Sequence, residues 1–127
     1  MKEQFVTYEI AVKLAKLGFN EPCWFQFDED GNLDWCYSEM KIETTEVTIR
    51  SGYLAPLWQQ AIDWFREKFK HHIEIQSPDY QNENDFYWTI HVVKKIGVFG
   101  DGSSDNYYEA REQAILKAIE LCQNKKF

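Results

Sequence analysis

Three histidines, His71, His72 and His91, and one arginine, Arg111, are the residues that most invite a chemical reading. A neutral imidazole can take a proton or bind a metal near physiological pH. His71 and His72 are adjacent, so on a strand they point to opposite faces. A metal site would therefore have to join His91 and carboxylates to just one of them, and solvated or hydrogen-bonded histidines are the simpler reading. Arg111 falls at about 40° on the wheel of the C-terminal helix, inside the apolar stripe. A guanidinium there has to be paired or reach water. Snorkelling at the helix end, or pairing with a carboxylate such as Glu74, satisfies it structurally. Lining a pocket for an anionic ligand, with His91 and Tyr87 beside it, is the functional alternative.

Two other stretches imitate binding motifs. "FDEDGNLDW" (27–35) has calcium-like acids, but an EF-hand frame ending in Gly31 puts Gln26 at position 1 and Tyr37 at position 12, where carboxylates are required. A hairpin turn explains it better. "GDGSSD" (100–105) precedes a helix, and glycines with a helix N-terminus can cradle phosphate. It lacks the Lys-Ser/Thr ending of a P-loop, and Asp101 and Asp105 repel anions. Neither G-x-S-x-G nor H-E-x-x-H occurs. Cys23, Cys36 and Cys122 are odd in number and include no C-x-x-C, which reads as reduced thiols, not a disulfide framework or a zinc site. The sequence thus assigns no catalytic, metal or cofactor residue and calls for no cofactor.

The bulk numbers narrow the class. A chain of 127 residues, 44% apolar and 17% aromatic, has the length of one domain and enough apolar material for a core. The net charge is -7, and the basic residues are scattered. Binding a duplex needs clustered cations, so nucleic acid is disfavoured as a partner. Mimicry of nucleic acid needs carboxylates on one face, whereas these are spread along the chain. The N-terminus carries Glu3 and Glu9 and has no apolar h-region, so it does not read as a signal peptide. No apolar run approaches the roughly 20 residues of a membrane span. The expectation is a cytoplasmic protein without membrane contact.

The elements that must position these residues follow from periodicity. A first helix is predicted for 8–17, with Thr7 as N-cap and Gly18 beyond its end. "CWFQFDEDGNLDWCY" (23–37) predicts a hairpin around Asp30-Gly31-Asn32, with Phe27 facing Trp35 and Phe25 facing Tyr37. That odd-length loop puts every large residue except Trp24 on one face. Residues 38–52 predict a long surface loop, with "EVTIR" (46–50) as a short edge strand. In "LAPLWQQAIDWFREKF" (54–69), Pro56 suits a first helical turn. Leu57, Trp58, Ala61, Ile62, Phe65 and Phe69 share about 140° of the wheel, with Trp64 at its border, the one apolar residue of this helix so placed that it can be exposed. "HHIEIQS" (71–77) alternates as a half-buried strand and "FYWTIHVV" (86–93) reads as a central one. Residues 77–85 and 97–106 read as loops. A third helix runs from 107 to about 123, with Asn106 and Glu109 at capping-box spacing and Tyr107 on the apolar stripe.

"QFVTYEIAVKLAKLGFNEPC" (4–23), "APLWQQAIDWFREKF" (55–69) and "YYEAREQAILKAIEL" (107–121) together resemble a group of short proteins encoded in phages and other mobile elements of gut bacteria. The three blocks keep the order seen in that group and span over a third of the chain. The resemblance implies the phage α-β-α sandwich domain. It brings no catalytic or binding residues with it.

The fold expected is a single α+β domain over 1–127. It has the order αββαββα and an antiparallel or mixed four-stranded sheet packed by three helices. The function expected is that of a non-enzymatic accessory protein of a mobile element. It would bind a protein partner through a sheet edge, the 38–52 loop, or exposed aromatics near Trp24 and Trp64. The alternative is a small-molecule-binding domain or small enzyme with a pocket near Arg111.

Overall fold

The computed structural model describes residues 4–35, 52–78 and 85–124. Cys36, Tyr37, "EVTIR", nearly all of the 38–52 loop and most of the 77–85 loop lie outside the described residues. The chain is α+β; among the described residues it has three helices and two three-stranded antiparallel sheets. It divides into two compact units, residues 1–61 and 62–127.

The first unit opens with α1, Tyr8–Lys16. Thr7 Oγ1 accepts the Ile10 amide at 3.3 Å, filling one of the orphan donors of the first turn. The helix ends as the sequence requires. Gly18 takes φ +100°, its amide reaches the Ala15 carbonyl, and the Phe19 amide reaches Leu14. These are the paired bonds of a Schellman motif, and its usual apolar contact is available because Phe19 and Leu14 are both buried.

The hairpin forms from β1, Phe25–Phe27, and β2, Leu33–Trp35, but two residues out of the expected register. Phe25 faces Trp35 and Phe27 faces Leu33. The reason is Asp28. Its Oδ1 accepts the amides of Asp30 at 2.9 Å and Asn32 at 2.8 Å. This closes a three-residue loop over Glu29, Asp30 and Gly31, with Gly31 at the positive φ such loops need at their third position. The loop stays odd in length, so the large side chains still share a face. A further strand, β3, Tyr53–Leu54, joins the other edge of β1 and gives the order β2-β1-β3. Gly52 enters it at φ +107°, where any Cβ would run into the Phe27 carbonyl oxygen. Rings line this unit: Tyr8 meets Phe27 and Tyr53 edge-on, and Phe5, Phe25 and Trp35 are in sequential contact.

Helix α2, Trp58–Phe69, begins after Pro56 and Leu57, not at them. Leu57 instead bridges Phe5 in an extended conformation and is exposed, so its place on the helical wheel does not apply. Trp58, Ala61, Ile62 and Phe65 are buried as the stripe predicts. Trp64 corrects the wheel: it is only 6% exposed. Its ring meets Phe65 and Phe69 edge-on, each at 5.3 Å. A wheel gives direction but not reach, and an indole at the border of a stripe is long enough to fold over it.

The second unit holds β4, His71–Gln76, β5, Phe86–Val92, and β6, Gly100–Ser104, in the order β4-β5-β6, followed by α3, Tyr107–Asn124. Strand β5 is central, as its composition predicts. Strand β6 replaces the expected 97–106 loop. Its glycines read as breakers, but pairing with a tryptophan strand needs them. Gly102 lies opposite Trp88, and a Cβ there would stand 2.6 Å from the indole. Trp88 Nε1 donates to Gln113 Oε1 on α3 at 2.9 Å. Ala110, Ala114 and Ala118 are fully buried, and with Gly100 and Gly102 opposite they let α3 lie close to the sheet. Asn106 caps α3 through its Oδ1 to the Tyr108 and Glu109 amides. The reciprocal half of the capping box does not form. Ser104 Oγ takes the Asn106 amide and the Glu109 carboxylate takes Gln113 Nε2. Tyr107 is exposed, not on the buried stripe.

In place of one four-stranded sheet, then, β3 and β6 extend two separate hairpins into two sheets of three. Both additions fall where Gly52, Gly100 and Gly102 mask strand propensity.

Candidate functional site

Alternation along β5 sorts the candidate residues. Trp88 and Ile90 point toward α3, as does His71 on β4, whose Nδ1 lies 3.8 Å from Cys122 Sγ. Tyr87, Thr89 and His91 therefore occupy the opposite face. There they stand beside His72, Glu74 and Gln76 of β4, and beside Asp101 and Ser103 of β6. This face is polar. The Tyr87 hydroxyl donates to Asp101 Oδ2 at 2.9 Å, and the acceptor beside it, with burial, pushes the phenol above its ordinary value. Tyr87 is thus held in its protonated form. His91 pairs across the strands with His72, whose Nε2 lies 3.5 Å from Glu74 Oε1.

Arg111 belongs to the α3 side, so it does not converge with Tyr87 and His91. Glu74, the carboxylate considered for it, also faces the other way. The Arg111 guanidinium lies over the rings of Tyr107 at 5.5 Å and Tyr108 at 5.2 Å, one turn back along its own helix. Phe86 extends the cluster by meeting Tyr107 at 5.6 Å. Burial lowers the guanidinium from its ordinary value, and the phenols of Tyr107 and Tyr108 oppose that shift. This is a stacked cation on the rim of the helix, a form of satisfaction that wheel arithmetic cannot find.

One nucleophile does meet a base. Cys122 and His71 are buried together, with the Phe65 ring parallel to the imidazole at 6.4 Å and the Phe69 ring tilted against it at 6.1 Å. Desolvation pushes the Cys122 thiol up to about 12 and the His71 imidazole below its ordinary value. A reactive cysteine needs the reverse, a thiolate beside an imidazolium. The pair as placed is two neutral core groups. Among the described residues, no group of three or more His, Cys, Asp or Glu is placed to hold a metal ion.

What remains is exposed apolar surface. Trp24, on the residue just before β1, is 61% exposed. Trp35 on β2 is 52% exposed and stacks on Phe25 at 4.5 Å. Residues 93–99, joining β5 to β6, carry exposed Val93 and Val98 and a wholly exposed Ile96. Lys94 and Lys95 lie between them, and the loop turns through positive φ at Lys94 and Gly97. The sequence analysis does not find this loop, because it puts Val93 in the strand, Val98 in the 97–106 loop, and gives 94–96 no element. Three aliphatic residues in six, with a glycine and no alternation, is the signal that was available.

No helix among the described residues is long and apolar enough to cross a membrane. Comparison with protein-family models, with curated proteins and with solved structures finds no match.

Proposed function

We propose that this chain is a non-enzymatic binding module that acts by protein–protein contact, and that the loop between β5 and β6 is its principal contact. The observation that carries this is Ile96, fully exposed between two exposed valines. Single exposed apolar residues are ordinary, but a cluster at a hairpin tip keeps a desolvation gain available for binding. Lys94 and Lys95 put local positive charge on a chain of net charge -7. The matching partner is a protein surface with an apolar pocket rimmed by carboxylates. Trp24 and Trp35 are two further exposed aromatics in the first unit, of the kind enriched at interfaces.

The separation of Arg111 from Tyr87 and His91 supports this reading over a small-molecule pocket or an enzyme site built on those three. The resemblance of residues 4–23, 55–69 and 107–121 to phage and mobile-element proteins supports an accessory role in such an element, in the cytoplasm of its host and on the α-β-α sandwich plan. Affinity capture from host lysate, comparing the wild type with Ile96→Asp, tests the proposal.

A further inference from the structure

The sequence holds two Asp-Gly bonds, Asp30-Gly31 and Asp101-Gly102. Glycine has no Cβ to keep its amide away from the preceding side chain, so its nitrogen can reach that carboxyl carbon once the backbone is free to turn. The fold puts the two bonds in opposite settings. Asp101-Gly102 lies inside β6. The Ile90 carbonyl takes the Phe99 amide at 2.9 Å, so the even-numbered residues of β5 direct their backbone groups toward β6. Trp88 and Gly102 are partners in that register, and the Trp88 carbonyl therefore holds the Gly102 amide in the ladder. The Asp101 carboxylate accepts the Tyr87 hydroxyl at 2.9 Å. Both groups that would have to meet are engaged, one in the plane of the sheet and one on its face.

Asp30-Gly31 lies in the three-residue loop between β1 and β2. Asp28 Oδ1 holds the amides of Asp30 and Asn32, but it does not hold the Asp30 side chain. That side chain is exposed, and among the described residues no hydrogen bond or ion pair engages its carboxylate. The Gly31 amide donates to the Asp28 carbonyl at 3.0 Å. This bond lies within the loop and opens without disturbing a strand.

We infer that Asp30 is a site of spontaneous covalent modification, conversion to isoaspartate, and that the fold protects Asp101 from the same reaction. The Gly31 nitrogen attacks Cγ of the protonated Asp30 carboxyl. The nitrogen gives up its proton, the carboxyl hydroxyl leaves as water, and a succinimide ring closes. Water then adds to one of the two ring carbonyls. If the bond from nitrogen to Cγ breaks, aspartate is restored. If the bond from nitrogen to the main-chain carbonyl carbon breaks, Gly31 stays joined through Cγ and the α-carboxylate is set free. One water leaves and one returns, so the product is an isomer and the reaction needs no oxidant or cofactor. The main chain gains one carbon in a loop whose closure depends on Asp28 reaching two amides. The modification therefore acts on the device that sets the hairpin register. It is independent of the Ile96 loop and does not rest on the function proposed above.

Peptide mapping of the full chain tests the inference, with Asp101 as the internal reference. The protein would be aged for weeks in mildly acidic buffer, one portion native and one unfolded in urea. Isoaspartate would be located by mass spectrometry with electron-transfer fragmentation, which separates it from aspartate at equal mass. In the native portion isoaspartate is expected to accumulate at Asp30 at least about tenfold faster than at Asp101, because β6 has to open before Asp101 can react. In urea the two sites are expected to react at similar rates, since their local chemistry is the same. A native protein in which Asp30 isomerises no faster than Asp101 overturns the inference. A preference for Asp30 that persists unchanged in urea also overturns it, because the fold would then not be its cause.

Discussion

Cys122 Sγ lies 3.8 Å from His71 Nδ1, and the two side chains are closed off from solvent together. Placed in water with a thiolate, this pair would be a catalytic dyad. With the imidazole beside Phe65 and Phe69, it is a piece of core, because desolvation opposes charge on both members. The consequence is a pH dependence of folding, not of catalysis.

Stability is expected to fall as pH drops below about 6.5, the ordinary histidine value. The unfolded chain takes up a proton there and the native His71, with its lowered value, does not. The unfolded state then binds more protons, so unfolding is favoured by up to about 1.4 kcal/mol per pH unit until the native imidazole also titrates. On the alkaline side the sign reverses in origin. Above about 9 the unfolded thiol ionises while native Cys122 holds its proton to about 12, so stability falls again as pH rises. Urea melts from pH 5 to 10 check both limbs. His71→Leu should flatten the acid limb, and an unchanged acid slope in that variant would contradict the assignment.

The glycines give a graded series. Gly18→Ala meets no neighbour and strains only the backbone, at a cost of about 1 kcal/mol. Gly102→Ala forces the Trp88 indole to shift, at about 1–3 kcal/mol. Gly52→Ala combines a positive φ with a collision against the Phe27 backbone and should be the most costly of the three. Thermal melts should rank the variants in that order.

Two tryptophans separate burial from exposure. Trp64→Ala removes a ring packed against Phe65 and Phe69 and should cost about 3–5 kcal/mol. Trp24→Ala, at a well-exposed position, should change stability by less than about 0.5 kcal/mol. Chemical denaturation of the two variants decides whether the expected exposure of Trp64 or its observed burial is correct.

Local rules were legible where local physics decides. Thr7, Gly18 and Asn106 marked helix ends because caps depend on nearby backbone groups alone. The β4 and β5 strands were legible from alternation and from dense β-branched and aromatic content. What was not legible depended on partners distant in sequence. Strand β6 looks like a linker until Trp88 is placed opposite Gly102. The hairpin register turned on which aspartate captured the loop amides, and Asp28 and Asp30 are not separable by turn chemistry alone. At the candidate site, Trp24 was placed correctly at the surface. Arg111, Tyr87 and His91 were each noticed for sound reasons, but strand parity sends two of them to one side of the sheet and the helix keeps the third on the other.

The proposed contact through the 93–99 loop is tested most directly by capture with an otherwise intact protein. Ile96 makes no buried contact, so Ile96→Asp should leave the melting temperature within about 1 °C of wild type, as a surface change does. Tagged wild type and Ile96→Asp would be used to capture protein from lysate of the same host cells, with stoichiometry read by mass spectrometry. The account predicts one stoichiometric protein retained by the wild type, lost with Ile96→Asp, and weakened by charge reversal at Lys94 and Lys95. A partner retained equally by both proteins would contradict the role given to this loop, and no stoichiometric partner at all would contradict the binding function itself.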